Sequence, residues 1–456
     1  MGTHSTILAG IVCSLLLVPL SADSALAAGF QAGVTRIRIT PPMPFWLSGY
    51  AARTTAATAV RQELWAKALA LADGRGGRVV IVTADLIGLP REVSDSVAER
   101  VSKQHGLQRS QLLLNFSHTH CGPVVWPGLS VMFDFDAAEK ERAAQYSRNL
   151  TDDLVALVGA ALADLSPAQL ACGHGTAGFA MNRREENPAG VRLGENPAGP
   201  TDHDVPVLRV TAPDGRLRAV LFGYACHGTT LNATFNEVDS DFGGYAQRAL
   251  ETAHPGATAL YMVLCAGDQN PKPRGEYEQV ELHGRELAEA VDRVLAGDLQ
   301  VLRPPIRTAH LVAQLDFAEH TREMFENEAA GTGTTSATQY KQRRAALMLE
   351  AYNKGKPVRQ MPFQVQAVRF NTDLILLALS GEVVVDYVLR AKREFPGENL
   401  VVAGYCNDVS SYIPSLRVLH EGGYEPDVSM IYYGQPGPFA ENVEEKIFEA
   451  IHQVMK

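Results

Sequence analysis

The sequence predicts an α/β fold, a mixed β-sheet core layered with helices and with its chemistry gathered at the strand ends. Three observations predict it. Strand-like and helix-like patterns alternate along the 456 residues. Several apolar runs open at their C-terminal ends into polar residues of catalytic type, where α/β folds collect ligands. Two short turns, Ala212-Pro213-Asp214-Gly215-Arg216 and Asn371-Thr372-Asp373, join neighbouring apolar runs, so hairpins make the sheet mixed rather than purely parallel.

Taken in order, residues 32–40 and 64–72 read as strands, as do 78–83, whose end presents Asp85. Residues 92–104 are an amphipathic helix leading into the apolar run 111–116, and 137–163 form a long helical stretch. The first hairpin pairs 204–211 with 217–225. A strand at 260–264 follows, then a second hairpin of 365–370 with 374–379, and a last strand at 401–404. Helices are expected at 243–253, 280–296, 383–395 and 441–454.

Two segments read as irregular. Residues 185–203 contain Glu-Asn-Pro-Ala-Gly twice, a local duplication expected to form a Pro/Gly rim loop or lid. Residues 318–356 are charged and helical but broken by Gly331-Thr332-Gly333-Thr334-Thr335-Ser336. They read as a solvated excursion in preference to a helical hairpin over the site.

Residues 1–28 read as a secretory signal, apolar from about Ile7 to Leu20 with Ala25-Leu26-Ala27 as cleavage context. A secreted or periplasmic location follows; an N-terminal anchor is the alternative, because the segment before the apolar run carries His4 and no Lys or Arg. Residues 29–456 read as a single domain, and none of their segments reaches the ~18 apolar residues of a membrane span. A hydrophobic content of 46% supports a large core. The net charge of −10, without a basic cluster, argues against a nucleic-acid partner. With Cys13 in the signal, Cys121, Cys172, Cys226, Cys265 and Cys406 remain. They lack C-x-x-C spacing and read as small buried residues, not as a disulfide framework.

The richest stretch is 111–123, Gln-Leu-Leu-Leu-Asn-Phe-Ser-His-Thr-His-Cys-Gly-Pro. In extended backbone residues i and i+2 share a side, so His118 and His120 project two imidazoles into one space, and nitrogen donors of this kind suit zinc. Other apolar runs end in Cys226-His227-Gly228, Cys265-Ala266-Gly267-Asp268-Gln269-Asn270, Ser380-Gly381-Glu382, and Tyr405-Cys406-Asn407-Asp408 leading to Tyr412. Two histidines, a glutamate and a tyrosine at such ends make a metal site at the strand ends. The competing readings are structural: Glu382 as a cap of the helix expected from residue 383, Arg183 as a loop ion pair, and His227 as a hydrogen-bonded core histidine.

Ser117-His118-Thr119-His120-Cys121-Gly122-Pro123 resembles the Ser-His-Thr-His-Ser-Gly motif of neutral/alkaline (non-lysosomal) ceramidases. The order of Thr40-Pro41-Pro42, Gly49-Tyr50, Asn182-Arg183, Cys226-His227-Gly228, Gly267-Asp268, Ser380-Gly381-Glu382 and Asn407-Asp408 agrees with it. The resemblance implies a zinc-dependent hydrolase of N-acyl amide bonds, with one ion on His118, His227, Glu382 and Tyr412, and Tyr405 as a rival for the last place. It implies polarising or proton-handling roles for His120 and Arg183, and a lipid amide substrate met in transient contact with a membrane surface. One departure stands out: the family continues Gly-Asp-Val-Ser-Pro-Asn, whereas here Asn270 stands where that serine falls. An amide is no nucleophile, though it can donate a hydrogen bond to an oxyanion, so the attacking group is expected to be water on zinc. Asn270, His120 and Arg183 would then stabilise the oxyanion, and His120 or Asp268 would pass a proton to the leaving group. The family's C-terminal immunoglobulin-like domain is not expected within residues 29–456. A metal-binding relative without turnover, a hydrolase of another amide or ester, and a multi-metal phosphatase- or sulfatase-like enzyme are the alternatives.

Overall fold

Two β-sheets lie face to face in the computed structural model, which describes residues 1–2 and 29–456; the signal expected over residues 1–28 otherwise lies outside the described residues. The larger sheet contains β1 (Phe30–Arg38), β2 (Trp65–Ala72), β3 (Arg78–Ala84), β4 (Leu112–Phe116), β5 (Ser166–Thr176), β8 (Asp204–Thr211), β9 (Leu217–Tyr224), β10 (Thr258–Val263) and the short β12 (Gln300–Val301). Their order is β10-β9-β8-β5-β1-β2-β3-β4, with β12 paired to β5. The second sheet is β13 (Ile306–Asp316), β14 (Gln360–Phe370), β15 (Leu374–Leu379) and β17 (Leu400–Ala403), in that order. Both sheets are mixed as expected: β3–β4, β9–β10 and β15–β17 run parallel and the hairpins antiparallel.

Side-chain alternation builds the layers. On β2, Ala66, Ala68 and Ala70 turn toward the helices, while Leu69 and Leu71 face the second sheet. There they join Ile81, Leu221, Met262, Phe370 and Leu376 in a core between the sheets. The outer face of the large sheet is covered by α1 (Arg91–His105), α2 (Ala137–Ala163), α3 (Asp241–Ala253) and α4 (Tyr277–Leu295), through residues such as Val97, Leu154, Phe242 and Leu287. Asp136 fixes the start of α2 by accepting from the Glu139 N–H in a reciprocal capping box.

Four further helical pieces come from the C-terminal half: α5 (Arg322–Ala329), α6 (Ser336–Asn353), α7 (Asp386–Glu394) and α8 (Leu416–Glu421). After a π turn at Tyr424–Val428 come α9 (Ser429–Tyr432) and α10 (Val443–Val454). Val388 and Ala391 of α7 and Ile447 and Ile451 of α10 cover the second sheet. The result is four layers, helix, sheet, sheet, helix.

The large sheet curls until its edge strands β4 and β10 approach, and a side chain closes the seam. Asn115, fully buried on β4, accepts from Val263 N at 2.9 Å and donates to Val263 O at 3.0 Å, as a peptide unit of a neighbouring strand would. The same amide nitrogen reaches Gly404 O at 3.0 Å, tying in the end of β17. The C-terminal ends of β4, β9, β10 and β17 are thereby drawn together.

The structure corrects three expectations. The segment expected as a rim loop is a hairpin, β6 (Ala180–Asn187) and β7 (Gly190–Asn196), extended by β11 (Gln269–Pro271). The duplicated Asn-Pro-Ala-Gly makes the turns at the two ends of β7, the first an Asx turn in which Asn187 Oδ1 accepts from Ala189 N. Residues 318–356 are not a solvated excursion: α5 and α6 pack on each other through Phe325, Ala345 and Met348, and Tyr340 donates to Ala51 O at 2.5 Å. The helix expected from residue 383 begins at Asp386, because Glu382–Val383 is a short strand, β16, paired in parallel with β18 (Tyr412–Ile413).

The five described cysteines are buried and free, as expected of packing residues.

Candidate metal centre

Both sheets deliver residues to one point. His118 lies just past β4, His227 just past β9, and Glu382 on β16 just past β15. Tyr412 sits on β18 directly opposite Glu382. His118, Tyr405 and Asn407 have left-handed backbone, with φ of 56°, 54° and 65°. Such backbone is strained for residues with a Cβ and persists where surrounding bonds over-determine it. Here His118 N donates to Leu86 O at 2.9 Å and Asn407 N to Leu114 O at 2.7 Å.

The donor atoms converge. His118 Nε2 is 3.1 Å and His227 Nε2 3.0 Å from Glu382 Oε2, and His227 Nε2 is 3.1 Å from Tyr412 OH. Tetrahedral zinc with bonds of about 2.0–2.1 Å has ligand-to-ligand edges of roughly 3.3 Å, so this spacing fits one ion. The other ring nitrogens are fixed: His118 Nδ1 lies 2.6 Å from Ile87 O and His227 Nδ1 2.7 Å from Ala266 O. A carbonyl oxygen only accepts, so each Nδ1 carries the hydrogen and each Nε2 turns its lone pair inward, as in metal-bound histidines. Burial, helped by the nearby Arg183 guanidinium, lowers the His227 pKa to about 3 and keeps the ring neutral.

His118, His120 and His227 form a group that could hold a metal ion, their ligand atoms all within 4.8 Å of one another. His120 differs from the other two. Its Nε2 is 3.2 Å from His118 Nε2, but its buried Nδ1 has no partner among the described residues. Without the carbonyl that orients a ligand ring, His120 is better suited to facing substrate, and it lines the cleft above the centre.

Tyr433, which the sequence did not single out, donates a short hydrogen bond to Glu382 Oε1 and thereby turns Oε2 toward the histidines. Tyr405 lies further back, its OH 3.4 Å from both Glu382 Oε2 and His227 Nδ1. Glu382 does not cap α7, which starts four residues later.

Arg183 reaches the centre from β6. A register shift between Asn182 and Arg184 lets these two successive arginines reach the same buried Glu425: Arg183 Nε meets Oε1 at 2.9 Å and Arg184 Nη1 meets Oε2 at 2.5 Å. Held this way, Arg183 donates to Tyr412 OH at 2.9 Å and to Asn270 Oδ1 at 3.2 Å. Thr229 Oγ1 also donates to Asn270 Oδ1, at 3.2 Å. With its oxygen occupied twice, the group Asn270 can offer to a substrate is its amide nitrogen.

The structure places Asp268 elsewhere. Its buried carboxylate accepts from Val385 N at 2.9 Å and Asn182 Nδ2 at 3.1 Å and does not line the cleft, so the expected proton shuttle becomes a brace between β6 and the start of α7. Above the centre, a cleft of about 280 Å³ is lined by Tyr50, His120, Met132, Arg183, Leu193, Thr229, Asn270, Arg274, Tyr412, Tyr424 and Tyr432 together with the Gly49 and Ala51–Ala52 backbone.

Comparison with known proteins shows the family and the fold. The family model of neutral/alkaline non-lysosomal ceramidase, N-terminal, matches residues 30–291. The neutral ceramidase of Drosophila pseudoobscura pseudoobscura is 25% identical over 305 residues, covering 63% of this chain and 42% of the fly protein. That of Drosophila melanogaster is 26% identical over 268 residues, covering 55% and 37%. The chain thus spans less than half the length of these relatives. Among solved structures, neutral ceramidase from Pseudomonas aeruginosa superposes with a TM-score of 0.71 at 18% identity, over 93% of this chain and 73% of that one, a likeness of fold.

Proposed function

This chain belongs to the neutral/alkaline non-lysosomal ceramidase family, and we propose that it is an exported zinc-dependent hydrolase of N-acyl amide bonds acting on a lipid amide. The observation that carries this reading is the convergence of His118 Nε2, His227 Nε2, Glu382 Oε2 and Tyr412 OH at neighbour distances of 3.0–3.1 Å, with both Nδ1 atoms locked on carbonyls.

When bound, zinc supplies a Lewis acid that polarises a carbonyl and brings the pKa of water near 7. The chain's own residues do the rest. Arg183 holds the Tyr412 oxygen in place and offsets negative charge on it. The Asn270 amide nitrogen and the Arg183 guanidinium supply N–H donors on the cleft floor, where the carbonyl oxygen of the substrate gains charge. His120, neutral because burial and then the neighbouring His118 hold its pKa well below the usual value, can relay a proton to the leaving nitrogen. Tyr50, Tyr424, Tyr432, Met132 and Leu193 offer an apolar wall to the acyl chain and shield the site from water.

The test is fatty-acid release from a panel of N-acyl amines, including an N-acyl sphingoid, by zinc-replete protein, with metal content measured alongside. His118→Ala should lose the metal and lower turnover by at least a thousandfold. A His118→Ala protein that keeps both would overturn the assignment. One observation favours a second reading, a metal-binding relative without turnover: Asn270 stands where the family carries serine. Zinc at one per chain with no release from any amide or ester would select it.

A further inference from the structure

The cleft has a charge character opposite to that of the protein. The chain carries 51 acidic against 41 basic residues, yet the cleft is lined by two arginines and no carboxylate. Arg183 is committed to Glu425 and Tyr412. Arg274 is not: its one hydrogen bond among the described residues is Nη2 to Tyr50 OH at 3.2 Å, and no acid lies within ion-pair distance of it. Nearby Lys272 has its own partner in Glu195, so the difference belongs to Arg274 and not to the segment. Asp241, which acts on Arg274 through space and not in an ion pair, is buried and accepts from the backbone N–H groups of Leu231 and Phe242.

Tyr50 holds this guanidinium toward the centre. Its OH donates to Leu231 O at 2.7 Å while accepting from Arg274, and its ring lies against His120 with centroids 4.6 Å apart. Burial pushes the Tyr50 pKa far up, so it stays a neutral hydroxyl and brings no charge to pair with the arginine. Apolar side chains that suit an acyl tail, Met132, Leu193, Tyr424 and Tyr432, come from other segments of the wall. A half-buried guanidinium with free N–H donors in a cleft is a recognition element for a carboxylate or an equivalent oxyanion.

Resting on the amide-hydrolase reading above, we propose that Arg274 selects substrates whose amine half carries an anionic group, and that the preferred substrate class is N-acyl amino acids and related acidic N-acyl amines. A neutral sphingoid amine leaves Arg274 without a partner. In the reaction water adds across the C–N bond: the acyl half leaves as a fatty acid, and the amine half takes a proton and leaves as a free amino acid.

The probes are N-dodecanoylglycine and N-dodecanoylethanolamine, which differ in carboxylate against hydroxymethyl. The zinc-replete protein should favour the glycine conjugate by tenfold or more in kcat/KM at low salt, the scale of a hydrogen bond to a charged group. That ratio should shrink with added salt, fall to near unity in Arg274→Gln, and recover in part in Arg274→Lys. An unchanged ratio in Arg274→Gln, or a wild-type preference for the ethanolamide, would overturn the proposal and leave the hydrolase reading intact. If neither probe is cleaved while the N-acyl sphingoid is, the substrate proposal falls and the hydrolase reading stands; if no amide of the panel is cleaved, the hydrolase reading falls, and titration calorimetry of N-dodecanoylglycine still decides the binding claim. Affinity tenfold weaker in Arg274→Gln supports it; equal affinity in the two proteins sinks it.

Discussion

Asn115→Leu removes one amide and keeps its branched heavy-atom outline, so it tests the seam between β4 and β10. In wild type two buried backbone groups, Val263 N and Val263 O, depend on that amide, and a third, Gly404 O, shares it with the Cys406 thiol. Val263 cannot turn to β9 instead. Leu264 N already bonds Tyr224 O on that side, so in an extended chain the Val263 N–H points the opposite way, toward Asn115. Leucine leaves both Val263 groups unpartnered in a site with no exposure, while Gly404 O keeps the Cys406 thiol. At about 1–3 kcal/mol per orphaned group, partly offset by the leucine's own apolar burial, the net loss is roughly 2–4 kcal/mol. Unfolding entropy scales with length, so for a chain this long the loss lowers Tm by roughly 2–4 °C.

Circular dichroism melts of the metal-free proteins measure this directly, and zinc titration of the folded variant supplies a second readout. His118 follows β4 by two residues, so a loosened seam also displaces one donor of the metal centre and weakens zinc binding. A variant that melts within 1 °C of wild type and binds zinc equally well would show that the edge strands are held by packing alone and that Asn115 does not position the site.

Three further outcomes are expected. Tyr433→Phe removes the donor that turns Glu382, and zinc affinity in competition with a chromophoric chelator should fall 10- to 100-fold; equal affinity would mean that Glu382 needs no such support. Asn270→Ala should lower kcat by roughly 10²–10³ with little change in KM, and an unchanged kcat would remove Asn270 from the oxyanion donors. Asp239 is raised to about 7 by burial and then by neighbouring Asp241, so the folded chain holds a proton that the unfolded chain releases near pH 4. Its unfavourable contribution therefore grows as pH rises from about 4 to 7 and is constant above. Asp239→Asn can keep the bonds to Asp241 N and Tyr245 OH, and it should gain on the order of 2–4 kcal/mol over wild type at pH 8 and nothing at pH 4 in urea unfolding. A gain that does not change with pH would refute the titration.

What the sequence made legible was whatever a local pattern decides. Apolar runs of strand length that break into His-Thr-His, Cys-His-Gly or Ser-Gly-Glu locate strand ends, because a buried strand must stop being apolar where it meets a polar site. The helix periodicities of 92–104 and 137–163 mark α1 and α2 to within a residue or two. What stayed hidden depends on partners far along the chain. The helix was expected from residue 383, with a cap as the competing reading of Glu382, because a two-residue strand has no period, and only Tyr412, thirty residues on, makes it a strand. The Asn-Pro-Ala-Gly repeats read as loop because turn residues outweigh the short half-exposed strand between them. Tyr433 carries no local signal: it is a tyrosine near a helix end whose partner lies fifty-one residues away.

The same contrast explains why the centre and the cleft call for different arguments. The donors of the centre come from the ends of packed strands, where the sheets fix each backbone and the histidine Nδ1 bonds fix each ring; their geometry follows from the fold. The cleft walls come from elements outside the two sheets, the β6–β7 hairpin, the β11–Arg274 segment, the α6–α9 contact and the turn at Tyr50. Those can change without disturbing a strand. Asn270, at the position where the resemblance places a serine, and Arg274, without an acidic partner among the described residues, lie four residues apart on one such segment. Both alter what the cleft offers a substrate, and neither touches the donor set. A segment altered at its proposed oxyanion donor and at its charge, over the donor set of the proposed metal centre, is the pattern expected when the reaction is kept and the amine it releases is changed.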